Sequence, residues 1–325
     1  MSCRSALALV AIVGLALAAA AQASGGGPGP GATVGWDGVL APGGKVRYVA
    51  VPAGSNTAVQ AIRTSDGRVL AFGPLVGAFG IPMLTQNGDT GGVSADGRTL
   101  VLAEFFQPGP KLRKTSHFAV FNPNHLDYPN EIALAGDFAF DAISPHGKRI
   151  YLIQHMTSQD LSRYVVRAYD VEQRRLLPGR IADRTQRSWV MQGYAMTRTT
   201  SGDGRWAYTL YQNPGGYPFI HALDTVRGVA HCIGIPWKGS DQNALWNIRM
   251  TLHGGGNKLA VHWKSGRPFL TVDTSTWRVS AAGRSFAWTA VAAGIAAAVA
   301  LAALALFLLR RRPAGIRFTK PEVAA

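Results

Sequence analysis

Between Thr33 and Ala282 the chain alternates apolar and polar positions in short runs broken by glycine-centred turns, and helical periodicity is almost absent. Alternation predicts strands, because successive side chains of a strand point to opposite faces. The runs come in sets. A strand such as Phe138 to Ser144 leads into a turn glycine, and a second, such as Arg149 to Gln154, leaves it. Some twenty residues later comes a third run, often closing on aspartate: HFAVFN (117–122), VVRAYD (165–170), FIHALD (219–224) and FLTVD (269–273). A fourth follows a short turn, as in EIALAG, RRLLPGRI, VAHCIGI and WRVSAA. KVRYVAV, TAVQAIRT and RVLAFGPL supply the same pattern at the start, turning at Ser65-Asp66-Gly67.

The sets share a phrase. SADGRTLVLAE begins at Ser94, SPHGKRIYLIQ at Ser144, SGDGRWAYTLY at Ser201 and HGGGNKLAVHW at His253, with a worn copy, APGGKVRYVAV, at Ala41. Registered on Gly44, Gly97, Gly147, Gly204 and Gly256, the spacings are 53, 50, 57 and 52 residues. A period near fifty made of short strands predicts propeller blades. A four-stranded sheet buries neither face alone, so each must stack on its neighbours, and a closed ring leaves only short edges. The expectation is an all-β, five-bladed propeller over residues 33–282, with an eroded sixth blade as the alternative for the long 75–92 segment. Ser144-Pro145-His146-Gly147-Lys148, Ile150-Tyr151-Leu152 and Ala222-Leu223-Asp224-Thr225 resemble the blade phrases of the WD-repeat-like and surface-layer (YVTN-type) propeller superfamily. The resemblance covers turns and strands, implies the fold, and carries over no active site.

The two ends are apolar for other reasons. Arg4, the uncharged run Ser5 to Ala21 and Ala21-Gln22-Ala23 have the order of a secretory signal, residues 1–23, with an uncleaved anchor as the rival. A Gly/Pro spacer fills 24–32. Phe286 to Leu309 is 24 residues without a charge. As a helix it would run about 36 Å, enough to cross a bilayer core. Arg310, Arg311 and Arg312 follow, which places the tail 310–325 in the cytoplasm and the propeller outside. The expected location is the plasma membrane, with a single span. Gly294 and Ala298 offer a small-residue face to a second helix. Cys3 belongs to the signal, so Cys232 stands alone in the mature chain and packing must hold the domain together.

Charge then narrows the partners. The whole chain carries +15, and the segment 24–285 holds 27 basic and 17 acidic side chains, a net +10. Outside a membrane this favours anionic headgroups or an acidic envelope polymer over nucleic acid, with a generally basic soluble surface as the plain reading. The long connections fall on one face, called the top, where second and third strands are joined and where each blade crosses to the next. They carry Trp189, Trp237, Trp246, Tyr217 and Arg187, residue types that anchor interfaces. The plain alternative is that these tryptophans cap the blades. The inner strands add Arg249, Asp141 and Arg198. Asp141 and Arg198 occupy equivalent positions in adjacent blades, so they form either an ion pair across the seam or a channel-mouth site for an acidic or sugar-like ligand. The eight histidines are scattered, and no nucleophile elbow, zinc motif or phosphate loop occurs. No catalytic residue, metal ligand or cofactor is assigned. The leading expectation is a membrane-anchored propeller that binds a protein or envelope component. An exported lactonase-like or hydrolytic enzyme is the alternative, and a sensor relaying through a partner is the third.

Overall fold

The computed structural model describes residues 31–106, 111–185, 190–238, 241–281 and Leu301, with the backbone alone at Trp36. The chain divides into two units, residues 1–281 and 282–325. The expected signal and cytoplasmic tail lie outside the described residues, as does the apolar run 286–309 apart from Leu301. Among the described residues no helix is long and apolar enough to cross a membrane.

The first unit is a β-propeller of five antiparallel sheets in chain order. Blade 1 is Gly35–Leu40, Val46–Ala53, Asn56–Arg63 and Val69–Leu75. Blade 2 is Phe79–Pro82, Leu100–Glu104, Thr115–Asn122 and His125–Ala135. Blade 3 is Phe138–Ile143, Arg149–His155, Arg163–Asp170 and a short edge at Arg175–Leu176. Blade 4 is Tyr194–Thr200, Trp206–Gln212, Phe219–Asp224 and Val229–Gly234. Blade 5 is Ile248–His253, Lys258–Trp263, Pro268–Asp273 and Val279–Ala281. The outer strand of blade 3 is shorter than RRLLPGRI suggests. Pro178 has no N–H to donate there, and Met191–Gln192 pairs with the other end of the third strand instead.

The serine of the repeated phrase has a structural task. Ser94, Ser144 and Ser201 each accept, through the side-chain hydroxyl, the backbone N–H five residues on, at 3.0, 2.9 and 2.8 Å. Asp96 and Asp203 accept the N–H two residues on. The glycine supplies a left-handed backbone, φ +70° at Gly147, where a Cβ would also collide with Thr99 of blade 2. Aspartates closing third strands cap the next turn: Asp224 accepts from the N–H groups of Val226 and Arg227, and Asp273 from those of Ser275 and Thr276.

Alternate residues of each sheet pack on the neighbouring blade. One hydrophobic cluster fills each of the seams 1/2, 2/3, 3/4 and 4/5. None of these four spans blades 5 and 1. The faces those two blades turn away from their clusters carry Arg47 and Gln60 on blade 1, and Arg249, Thr251 and His262 on blade 5.

The 75–92 segment builds no sixth blade. Phe79–Pro82 and residues 91–94 are two halves of the inner strand of blade 2, joined through an excursion at 83–90 whose ends pair at Met83 and Thr90. Ala32–Thr33 then pairs with Ile81 and Pro82 and adds a short fifth strand to blade 2.

Candidate functional site

The excursion meets the inner strand of blade 4. The N–H groups of Gln86 and Asn87 donate to the carbonyls of Ala195 and Met196 at 2.8 and 3.2 Å. The Asp89 carboxylate accepts from the Arg198 N–H at 2.7 Å and from the Thr85 hydroxyl at 2.8 Å. Blades 2 and 4 are not neighbours in the ring, so this loop bridges across its middle. Beside it Arg198 and Asp141 form a buried ion pair, with side chains 5% and 3% exposed. Each guanidinium nitrogen of Arg198 is engaged: one with the Asp141 carboxylate, one with the Asp141 carbonyl, and Nε with Thr209 Oγ1 at 2.8 Å. Burial alone would depress the Arg198 pKa, but the Asp141 charge overcomes it and the pKa rises. A cavity of about 280 Å³ opens beneath the pair toward the turn face, among Leu84, Phe140, Ile143, Thr200 and Ser201.

The polar row continues outward across blade 4. Arg198, Thr209, His221 and Cys232 are cross-strand neighbours on one face. Burial lowers the His221 pKa to about 4 and raises the Cys232 thiol to about 12, helped by the charge of Asp183. A neutral imidazole and a protonated thiol are poor partners for nucleophilic chemistry. Asp183 is held by the N–H of Cys232 at 2.6 Å and by His231 at 3.1 Å. The charged groups of the row are therefore paired, Arg198 with Asp141 and Asp183 with His231 and the Cys232 N–H, while His221 Nε2 is buried without a partner among the described residues. Asp141 and Arg198 sit at the middle of inner strands, not on top-face loops.

The top of blades 4 and 5 is different. Three loops meet there: 212–218, 236–247 and 263–267. Gln242, itself buried, locks the first to the second. Its amide accepts the Asn213 N–H at 2.9 Å and donates to the carbonyls of Asn213 and Gly216 at 3.0 and 2.8 Å. The third is tied on by the Lys264 N–H donating to Asn247 carbonyl at 2.6 Å. Trp237 is half-buried edge-on to Phe269, 5.7 Å between ring centroids, and its indole N–H donates to the Asp241 carbonyl. It builds the platform, as the capping alternative expects. Arg249 donates to the carbonyls of Trp246 and Ile248 and so supports the loop from below. On this base Tyr217 is 71% and Trp246 44% exposed. Lys238, Lys264 and Arg267 are exposed on the same loops, with Arg267 stacked on Trp263 at 5.0 Å. None of these three cations pairs with a carboxylate among the described residues. These loops hold three cationic side chains and one carboxylate, Asp241, with Arg249 on the strand below them. Trp189 and Arg187 lie outside the described residues.

One cluster escaped the sequence reading. Asp137, at the head of blade 3, accepts from Arg113 Nε and Nη2 at 3.1 and 2.9 Å and from its N–H at 3.1 Å. His155 Nδ1 lies 3.3 Å from the same carboxylate. Burial disfavours the charge, but His155 and Arg113 outweigh it and hold the Asp137 pKa at about 2. The three residues come from separate strands and loops with no shared motif, so no sequence signal marks them. They fasten the 111–114 loop of blade 2 to blade 3.

No family model matches the chain, and no curated protein matches it. Solved structures similar to it include hydrazine synthase of Kuenenia stuttgartiensis, at 15% identity and TM-score 0.45 over 73% of this chain and 63% of that one. The β-propeller domain of Cps50 (Swd1) from Myceliophteria thermophila gives 9% and 0.41, covering 73% and 64% of the two chains. TolB of Acinetobacter baumannii gives 14% and 0.39, covering 74% and 54%. The chain spans less than two thirds of each of these proteins. Likeness at this level assigns no activity.

Proposed function

We propose that this protein is an exported propeller, tethered to the membrane by the apolar run 286–309, that serves as a docking module rather than an enzyme. It engages an acidic surface through the top of blades 4 and 5. One observation carries the reading: Tyr217 and Trp246 stand exposed on loops cross-braced through Gln242, and Lys238, Lys264 and Arg267 are exposed on the same loops. Exposed large aromatics on rigid loops are costly to leave in water and are the side chains that anchor interfaces. Rigid presentation reduces the entropy lost on docking. The axial charges contribute stability instead, because they satisfy each other.

Site-directed photo-crosslinking in native membranes tests this. Tyr217→benzoylphenylalanine in the full chain is expected to give adducts, whether to protein, polymer or lipid. Ser275→benzoylphenylalanine, on an exposed turn of the opposite face, serves as control. Equal yields from both positions, or none from Tyr217, would remove the top face of blades 4 and 5 as the docking surface.

A further inference from the structure

The last strand of blade 5 is directed toward the same face and ends level with the middle of the blade. In blade 5 Val279 pairs with Val272 and Ala281 with Leu270, so the outer strand runs from the turn face toward the top. Leu270 lies three residues past Arg267, and three strand residues span about 10 Å. Beyond Ala281 only Ala282-Gly283-Arg284-Ser285 precede the apolar run at Phe286. Five Cα steps reach at most about 18 Å. A span that starts there keeps Ala281 within that distance of the bilayer interface, and the top of blade 5, about 10 Å further on, within about 28 Å of it.

The chemistry of the loops fits that interface. Trp and Tyr, apolar in body and polar at the tip, concentrate at headgroup depth, and lysine and arginine beside them reach anionic headgroups. Here Tyr217 and Trp246 are exposed, Lys238, Lys264 and Arg267 are exposed on the same three loops, and Arg284 follows in the connecting sequence. The bracing through Gln242 and Asn247 holds the three loops as one surface.

We infer that the acidic surface engaged by these loops is the anionic headgroup layer of the membrane that holds the chain's own apolar run, so that the propeller lies with the top of blades 4 and 5 against lipid. This rests on the docking reading above and names its partner. The remaining face, with its turn hairpins, then points away from the membrane.

The test is amide hydrogen exchange of the full-length chain in nanodiscs of phosphatidylcholine alone or with phosphatidylglycerol. The expected result is roughly tenfold slower exchange in 212–218, 236–247 and 263–267 with phosphatidylglycerol, lost in Lys264→Glu/Arg267→Glu and weakened at high salt. Turn-face amides should not change. No lipid-dependent protection, together with Tyr217 photo-adducts to protein or polymer, overturns the lipid assignment and leaves the docking surface standing. No protection and no Tyr217 adducts overturns both. Protection equal on the two faces also overturns the lipid assignment, because it would report general stabilisation.

Discussion

The two faces of this propeller use their polar side chains differently. On the turn face carboxylates and hydroxyls close hairpins: Asp96 and Asp203 accept backbone N–H groups, Arg63 pairs with Asp66, and Arg205 with Asp224. On top of blades 4 and 5 the cations have no such partner among the described residues, and two aromatics point outward. Between the faces lies the axial row, whose charged pair, Asp141 and Arg198, is satisfied internally as the turn-face groups are. Polar groups that complete the fold are held by backbone or by each other. Those left over, on loops rigid enough to hold them still, are the ones available to a partner.

The axis gives the largest effect. Arg198→Ala leaves the Asp141 carboxylate buried without its counter-charge and removes the donor to Thr209. Breaking one side of a buried pair costs about 3–5 kcal/mol, read as a fall in urea midpoint. Replacing both residues together with apolar side chains of similar volume should recover much of that loss. A stable single variant would show the row to be solvated, and would make it a ligand site rather than a brace.

The same row makes stability depend on pH. His221 is neutral and buried, with its pKa lowered to about 4. Its unfolded pKa is near 6.5, so between those values the unfolded chain binds the extra proton. The contribution is complete above about pH 6.5 and disappears as pH falls toward 4, a loss of about 3 kcal/mol. Asp137, with its pKa near 2, adds a second loss only below about pH 4. Denaturation between pH 7 and 4 reads the first window, and His221→Gln should flatten it while leaving the second.

The turn face answers to backbone. Gly147→Ala puts a Cβ on a residue at φ +70° and against Thr99. The left-handed penalty alone is about 1–2 kcal/mol, and the collision adds to it. Gly215→Ala on the top has φ +83° but open space around it, and should cost only the conformational penalty. Similar losses at both sites would mean that the top loops are packed as tightly as the hairpins.

This contrast also explains what could be read in advance. The turn phrase was legible because Ser94, Ser144 and Ser201 meet the same hydrogen-bonding demand in successive blades, and a repeated demand leaves a repeated sequence. The Asp141–Arg198 pair was legible for the same reason: register from the glycines places both at one height in neighbouring blades. The excursion at 83–90 was not. It occurs once, interrupts an inner strand, and bonds to blade 4 largely through backbone groups, which carry no sequence label. The bracing role of Gln242 was invisible for a related reason, since a lone glutamine in a loop reads as solvated until its partners are known. Tyr217 and Trp246 were found by residue type and loop length, but only burial separates them from Trp237, which the same criteria select and which packs inward.

The smallest effect on stability belongs to the top of blades 4 and 5, and it is the sharpest form of the comparison. Tyr217→Ala removes a side chain that is mostly in water and should change the unfolding free energy by less than about 0.5 kcal/mol, and Trp246→Ala removes one that is 44% exposed and should cost about 1 kcal/mol. Trp237→Ala should cost about 3 kcal/mol, since it leaves a void beside Phe269 and frees the Asp241 carbonyl. Docking should respond in the opposite order. Photo-adduct yield from Lys238→benzoylphenylalanine should fall when Tyr217 and Trp246 are both alanine, although the fold is intact. If the double variant docks normally while Trp237→Ala does not, the loops act through their shape alone, and the exposed aromatics are not the anchors.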